Sequence, residues 1–451
     1  MMDDTITAIA TAPGEGGISI VRLSGPGAFG IADRIIRCPG APPSQRAANT
    51  LVVGQVMDQD QVVDEVVVLF FRAPHSYTAE DVIEIQGHGG HQCARSILRL
   101  VLDAGARLAE PGEFTRRAFL HGRIDLVQAE AVLDLIRAHS ERAGTAAIEQ
   151  LDGALSRKFN QLYDELLMAA ARLEATLDFP EDELPELVMD EIKAELEQID
   201  QDFDALIATW DEGHLLRDGA LVVISGKPNV GKSTLLNGLL EKNRAIVSDI
   251  PGTTRDSIEE SFMLHGIPVR IADTAGLRET VDRIEQEGIE RTHQMMEAAD
   301  LVVYLFDLTD PGLETTLKSL ETQEKAHLFI FNKLDQMQGQ APDISHGLSV
   351  SLLEESGIQA VRDALFACLS GNVDLSARPH AVISERHRRL LLDAKEEMES
   401  GLALIRMDRE DGLVLAASQM RMGLQLIGQA TGREYEEELL DNIFGRFCIG
   451  K

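Results

Sequence analysis

Gly226-Lys227-Pro228-Asn229-Val230-Gly231-Lys232-Ser233 decides the fold of this 451-residue chain. The octapeptide fits GxxxxGK[ST], a phosphate loop. Leu221–Ser225 before it reads as a buried strand, and Thr234-Leu235-Leu236-Asn237 after it opens an apolar helix. Glycines let such a loop curl until backbone N–H groups and a helix N-terminus face phosphate oxygens. Asn229, Val230, Gly231 and Thr234 are thereby expected around a nucleotide, with Lys232 on the β and γ phosphates and Ser233 on Mg²⁺.

Outward from the loop, strand and helix signals alternate over residues ~218–375. Val269–Ala272, Leu301–Asp307, Leu328–Phe331 and Leu348–Ser351 read as further strands. That alternation predicts a mostly parallel, doubly wound sheet. Asp273-Thr274-Ala275-Gly276 follows one strand; Asp273 suits the Mg²⁺ shell through water, and the Gly276 N–H suits the γ-phosphate. Asn332-Lys333-Leu334-Asp335 follows another. A carboxylate at Asp335 accepts two hydrogen bonds from guanine N1–H and its 2-amino group, which adenine does not offer, so GTP is favoured over ATP. Asn332 is expected on the other base edge, the Lys333 stem over the ring, and Ser351-Leu352 as the close of the base pocket. Between the first two motifs, Asp249-Ile250-Pro251-Gly252-Thr253-Thr254 occupies the place of a switch segment, with Thr254 on Mg²⁺. The position after DxxG, where many GTPases carry a water-orienting glutamine, is Leu277. Glu285 and Glu287 are the carboxylates nearby that could orient water instead, or simply be solvated.

The flanks differ. The first ~120 residues carry strand signals at Gly17–Leu23, Val62–Phe71 and Asp81–Gln86 and a helix at ~92–104. From about Arg123 to Arg217 the apolar spacing is helical, with stripes such as Leu155, Phe159, Leu162 and Leu166. An acidic stretch from Asp178 to Asp204 reads as a solvated helix face and linker. From His380 the chain is helical again, which suggests that the nucleotide-type unit interrupts one helical domain.

Forty-two Lys and Arg against 75 Asp and Glu give a net charge of −33, which argues against a surface that grips nucleic acid throughout. Four dispersed cysteines have neither zinc spacing nor a secreted framework, so reduced thiols in the cytoplasm are expected. The longest apolar runs, Val66–Phe71 and Leu301–Phe306, fall far short of the roughly 20 residues of a membrane span. Arg386-His387-Arg388-Arg389 is a compact basic cluster, read first as a solvated face and second as a phosphate contact.

Several stretches together resemble the bacterial TrmE/MnmE tRNA-modification GTPases over the whole chain. They are Ile20-Val21-Arg22-Leu23-Ser24-Gly25, Glu84-Ile85-Gln86-Gly87-His88-Gly89-Gly90, Pro111-Gly112-Glu113-Phe114, Gly252-Thr253-Thr254-Arg255-Asp256 and the tail Phe447-Cys448-Ile449-Gly450-Lys451. The resemblance implies a multidomain α/β protein. It comprises an α+β folate-binding and dimerising N-terminal domain (1–120), a discontinuous all-α domain (121–215 and 376–451) and an inserted Ras-like GTPase domain (216–375). It further implies a homodimer with K⁺-stimulated GTP hydrolysis, working with the FAD-dependent MnmG in a heterotetramer. The modified atom is C5 of the wobble uridine of certain tRNAs, with a 5,10-methylene- or 5-formyl-tetrahydrofolate as carbon source. Residue by residue, Arg22, Glu84, Arg123 and Lys451 match the folate positions, with Arg123 where the family has Lys. Asn229 with Ser248, Ile250 and Thr253 match the K⁺ cage, Glu285 the water-orienting glutamate, and Cys448 a catalytic thiol. The alternative is a regulatory GTPase of ribosome assembly or stress, whose N-terminal domain only binds. A free-standing aminomethyl transferase is a third reading, made improbable by the complete GTPase motif set.

Overall fold

A computed structural model of the chain describes residues 4–178, 186–217, 219–240, 259–273, 295–318, 326–337, 347–371, 383–407 and 410–451. The chain divides into two units. One holds Met1–Leu133, Leu151–Leu196 and Asp393–Lys451, the other Asp134–Gln150 and Glu197–Leu392.

The first unit is built on a seven-stranded sheet. Its strands are β1 (Ile6–Ile9), β2 (Ile18–Ser24), β3 (Ile36–Arg37), β4 (Thr50–Asp58), β5 (Gln61–Phe71), β6 (Val82–His88) and β7 (Arg107–Leu108), in the order β3-β4-β5-β6-β2-β1-β7. Alternation sorts the side chains. Val21, Leu23, Val66, Val68, Phe70, Ile83 and Ile85 point inward and pack under helices Ala28–Ile35 and His91–Asp103. The opposite face carries a row fixed by register: Ala8 beside Arg22, Arg22 beside Glu84, Glu84 beside Leu69 and Leu69 beside Leu51. Leu51 and Val53, at one end of that face, are 65% and 53% exposed, so this end is uncovered among the described residues, while Ala8 at the other end is fully buried.

Two glycines of the Glu84–Gly90 stretch have steric reasons. A Cβ on Gly89 would lie 1.6 Å from the Gly16 carbonyl, and one on Gly87 would lie 2.5 Å from Asp64 Oδ2. The helical part of this unit pairs Ala154–Asp178 with Glu410–Thr431. Helix Glu437–Phe444 packs Phe444 against Phe119 of helix Glu113–Leu120, with Leu126, Leu440, Ile443 and Phe447 completing that core. Gly112 sits at the seam with φ +66, and a Cβ there would meet the Phe444 carbonyl at 2.5 Å.

The second unit contains a six-stranded sheet: β8 (Ala220–Ser225), β9 (Glu259–Leu264), β10 (Ile267–Asp273), β11 (Leu301–Asp307), β12 (His327–Asn332) and β13 (Leu348–Ser349), in the order β13-β12-β11-β8-β10-β9. All neighbours run parallel except β9, which is antiparallel to β10. The expected doubly wound sheet is therefore present with one antiparallel edge strand that the sequence reading lacked. Its cause is local: His265 and Gly266 have φ +48 and +89, the two left-handed residues of a tight hairpin turn. Leu301–Phe306 is buried at every position, because a parallel strand is covered on both faces.

Among the described residues, no helix is long and apolar enough to cross a membrane. The basic cluster at 386–389 is only partly a solvated face. His387 is fully buried and caps its helix, its Nδ1 accepting from the Ser384 N–H at 3.2 Å while its own N–H reaches Ser384 Oγ at 3.1 Å.

Candidate functional site

The phosphate loop lies between β8 and helix Lys232–Leu240, so its N–H groups gather at the positive end of the helix. Its glycines are required by approach as well as by curl. A Cβ on Gly226 would meet the Leu305 carbonyl at 2.5 Å, and one on Gly231 (φ +109) would lie 2.4 Å from Asn332 Nδ2. Asn229, at the exposed crest, has φ +64. Lys232 is buried, and its Nζ donates to the Gly226 and Lys227 carbonyls, each at 2.9 Å. The ammonium thus closes the loop on itself. Ser233 and Thr234 are exposed beside it. The cradle fits a polyphosphate, and the Ser233 hydroxyl is the hard oxygen donor that Mg²⁺ prefers.

Asn332 is a strut. Only 6% exposed, it donates from Nδ2 to the Val230 carbonyl at 2.8 Å and accepts at Oδ1 from the Leu352 N–H at 3.0 Å. Its amide therefore joins the phosphate loop to the segment after β13, and Nδ2 carries a second hydrogen for the base edge on which the sequence reading places it. Lys333 follows with φ +71 and pairs with Asp307. Asp335 is exposed in the short helical turn Leu334–Gln336. Ser351 is buried, and its Oγ has no hydrogen-bond partner among the described residues. Asp273 ends β10 beside Ile224, level with the start of the phosphate loop. Ser248, Asp249, Ile250, Pro251, Gly252, Thr253, Thr254, Thr274, Ala275, Gly276, Glu285 and Glu287 lie outside the described residues.

The first unit gathers the second group of expected residues. Arg22 Nε and Nη2 both reach Glu84 Oε1 at 2.8 Å, across adjacent strands. Both bonds fall on one oxygen, Oε1. The Arg22 guanidinium lies 5.5 Å from the Tyr77 ring centre and 5.6 Å from that of Phe114. Arg123 covers the same Tyr77 ring at 5.1 Å and donates to the Tyr77 carbonyl at 2.9 Å. Tyr77 was not anticipated, since no motif spacing marks it. Its hydroxyl pairs with Thr115 Oγ1 at 2.9 Å. Burial pushes the Tyr77 phenol up, against the pull of Thr115 and the two arginines. The tail reaches this sheet as well: a Cβ on Gly450 (φ +100) would come within 2.4 Å of the Ile9 carbonyl. Cys448 is an exposed free thiol, and its carbonyl accepts from the Lys451 N–H at 3.3 Å. A carboxylate, two guanidiniums and an aromatic ring suit a pterin with an acidic tail.

A second unforeseen pair stands at the end of β6. His88 Nδ1 lies 2.6 Å from Asp64 Oδ1, and the His88 N–H donates to Asp64 Oδ2 at 2.8 Å. The Asp64 hydrogen bond and charge push the imidazole above its usual value.

Glycine cradle, buried lysine and base-loop strut at the strand ends of a parallel sheet define the class: a P-loop GTPase within a multidomain α/β chain. A family model described as the MnmE helical domain matches residues 126–448, and one described as the GTP-binding protein TrmE N-terminus matches residues 5–123. The tRNA modification GTPase MnmE of Moorella thermoacetica is 45% identical over 471 residues and spans 100% of both chains. That of Alkaliphilus oremlandii is 41% identical over 461 residues, again 100% of both, and that of Lactiplantibacillus plantarum 41% over 465, with 99% of this chain and 98% of that one. The chain belongs to the MnmE family of tRNA modification GTPases.

Proposed function

We propose that this chain hydrolyses GTP as part of a cytoplasmic complex that installs an aminomethyl-type group, carboxymethylated in some cases, on C5 of the wobble uridine of certain tRNAs. The domain limits proposed are 1–120, 121–215 with 376–451, and 216–375. Lys232 stabilises charge on the β and γ phosphates, Asp335 selects guanine, and Glu285 orients the attacking water. Mg²⁺ would be held by Ser233 and Thr254, where it supplies charge neutralisation between the phosphates. K⁺ would be held by Asn229, Ser248, Ile250 and Thr253, where it supplies the positive charge that an arginine finger supplies elsewhere.

The observation that carries the one-carbon half of the reading is the Arg22–Glu84 pair over Tyr77 and Phe114, with Arg123 on the same ring. A tetrahydrofolate would lie there, its pterin N–H donors on Glu84 and its carboxylates on Arg22, Arg123 and Lys451, and it supplies the transferred carbon. Cys448 is the proposed thiol nearby. The register row from Arg22 through Glu84 and Leu69 to Leu51 runs directly from this cluster onto the apolar end of the sheet that is uncovered among the described residues. That continuity supports a homodimer with the folate site at its edge. An FAD-dependent partner, MnmG, would complete a heterotetramer and hold much of the tRNA, because a charge of −33 repels a polyanion.

Nucleoside mass spectrometry of tRNA from a deletion strain tests the reading, together with tetrahydrofolate binding to the purified chain. Loss of the wobble modification with folate binding is expected. An unchanged nucleoside profile without folate binding would leave the regulatory-GTPase alternative.

A further inference from the structure

The turn after β11, Asp307-Leu308-Thr309-Asp310-Pro311-Gly312, belongs to no nucleotide motif, yet it holds a lysine from each of two. Asp307 stands beside Asn332 in the β11–β12 register, and the Leu308 N–H donates to the Asn332 carbonyl at 3.0 Å. Asp307 Oδ2 takes the Lys333 ammonium. Asp307 Oδ1 accepts from the Thr309 N–H at 2.9 Å and from Thr309 Oγ1 at 2.7 Å, which fixes the carboxylate plane. Three residues on, Asp310 Oδ2 holds Lys227 Nζ at 2.8 Å while Oδ1 accepts from the Gly312 N–H at 2.9 Å. One turn thus anchors the lysine of the base loop and the first lysine of the phosphate loop, with both carboxylates oriented by backbone donors.

We propose that Asp307 is a positioning residue for guanine-nucleotide binding, acting through Lys333, and that Asp310 positions the phosphate loop through Lys227. The inference rests on the GTP reading above. A free lysine stem samples many rotamers, and laying it over a purine ring sacrifices that freedom. Asp307 removes the freedom before the nucleotide arrives, so its contribution appears in affinity rather than in the chemical step. Asp310 acts on the other end. By holding Lys227 outward it leaves Lys232 as the ammonium that faces the phosphates.

Full-length variants titrated with a fluorescent methylanthraniloyl-GDP, and in competition with inorganic pyrophosphate, test this. Asp307→Ala should weaken GDP about 10- to 30-fold, the range set by lysine rotamer freedom. Pyrophosphate should bind within about twofold of the wild type, and the GTP loss should fall on KM more than on kcat. Lys333→Ala should give a similar loss and the double variant little more, since the two act as one unit. Asp307→Asn, which keeps the acceptor for Thr309 but turns an amide NH2 toward the Lys333 ammonium, should lose affinity about as much as the alanine variant, and it decides the matter if the alanine variant does not fold. Asp310→Ala should weaken GDP and pyrophosphate in equal measure. GDP affinity within twofold of wild type in Asp307→Ala, additive losses in the double variant, or an equal loss of pyrophosphate in Asp307→Ala would each overturn the proposal. Failure of the wild type to bind guanine nucleotide would instead overturn the GTP reading, and the bracket with it.

Discussion

Replacing Arg117 by methionine keeps the length of the side chain and removes its charge. Arg117 is 4% exposed and reaches three carboxylates: Asp4 Oδ1 at 2.6 Å, Glu113 Oε1 at 2.9 Å and Glu80 Oε1 at 3.2 Å. Breaking a buried charge cluster by removing one partner costs about 3–5 kcal/mol. The remaining contacts decide where in that range the loss falls. Asp4 is 41% exposed and rehydrates, while Glu113 keeps Arg107 at 2.7 Å and the Glu110 N–H at 2.8 Å. Glu80, 10% exposed, loses Arg117 from both oxygens and keeps the Ser24 hydroxyl on Oε2 at 2.6 Å, so one carboxylate bears most of the cost. The expected loss at pH 7 is then about 3 kcal/mol, near 6–12 °C in melting temperature for a unit of this size.

Acid sharpens the test. Burial works to raise the Asp4 and Glu113 carboxyls, but hydrogen bonds from Arg107 and Arg117 outweigh it and hold both below their usual values of 3.8 and 4.5. Groups depressed in the folded state stabilise it above their unfolded pKa, and that stability is lost as pH falls through the folded value. Urea midpoints of wild type and Arg117→Met should therefore differ most at pH 7 and converge toward pH 3. Equal midpoints at pH 7, or a gap that widens in acid, would refute the reasoning. Because helix Glu113–Leu120 also carries Phe114 and Thr115, the variant should weaken folate binding in parallel.

Asn332→Ala leaves the buried Val230 carbonyl and Leu352 N–H without their partner, at about 1–3 kcal/mol each. Both urea stability and GDP affinity should fall, and an unchanged GDP titration would show that the strut does not matter to the site. The His88 imidazole, raised by Asp64, contributes its ion pair fully below the usual 6.5 and loses it as pH climbs through the raised value. Proton NMR titration should return the ring to an ordinary value in Asp64→Asn; an identical curve in both proteins would remove the pair from consideration. Exchanging K⁺ for Na⁺ should slow GTP hydrolysis strongly, whereas equal rates in the two salts would sink the role given to Asn229.

What the sequence made legible follows from how local the constraint is. The phosphate loop is readable because one backbone conformation demands glycines and a lysine at fixed spacing. The parallel strands are readable because burial on both faces turns Leu301–Phe306 into an unbroken apolar run. Strand β9 was missed since it begins Glu259-Glu260-Ser261 at a sheet edge, and only the His265-Gly266 turn betrays it. Asp307 and Asp310 were invisible because their lysines lie 26 and 83 residues away in sequence. Tyr77 and Arg117 are similar cases: apart from the i,i+4 pair Glu113–Arg117, their partners come from distant segments, Arg22, Thr115 and Arg123 for Tyr77 and Asp4 and Glu80 for Arg117, and no periodicity encodes such a meeting. Asn332 was legible as part of its motif, but the motif does not encode the two further bonds by which its amide ties neighbouring loops together.

The seating of Gly450 against the Ile9 carbonyl has a consequence for biosynthesis. The first strand emerges from the ribosome hundreds of residues before the segment that docks on it. Until then β1 has its strand partners β2 and β7, but the Ile9 carbonyl lacks the segment that finally lies against it. A nascent or prematurely stopped chain could assemble its nucleotide loops while this corner stays unfinished. Completion of this corner therefore waits for a segment made hundreds of residues after the strand it meets.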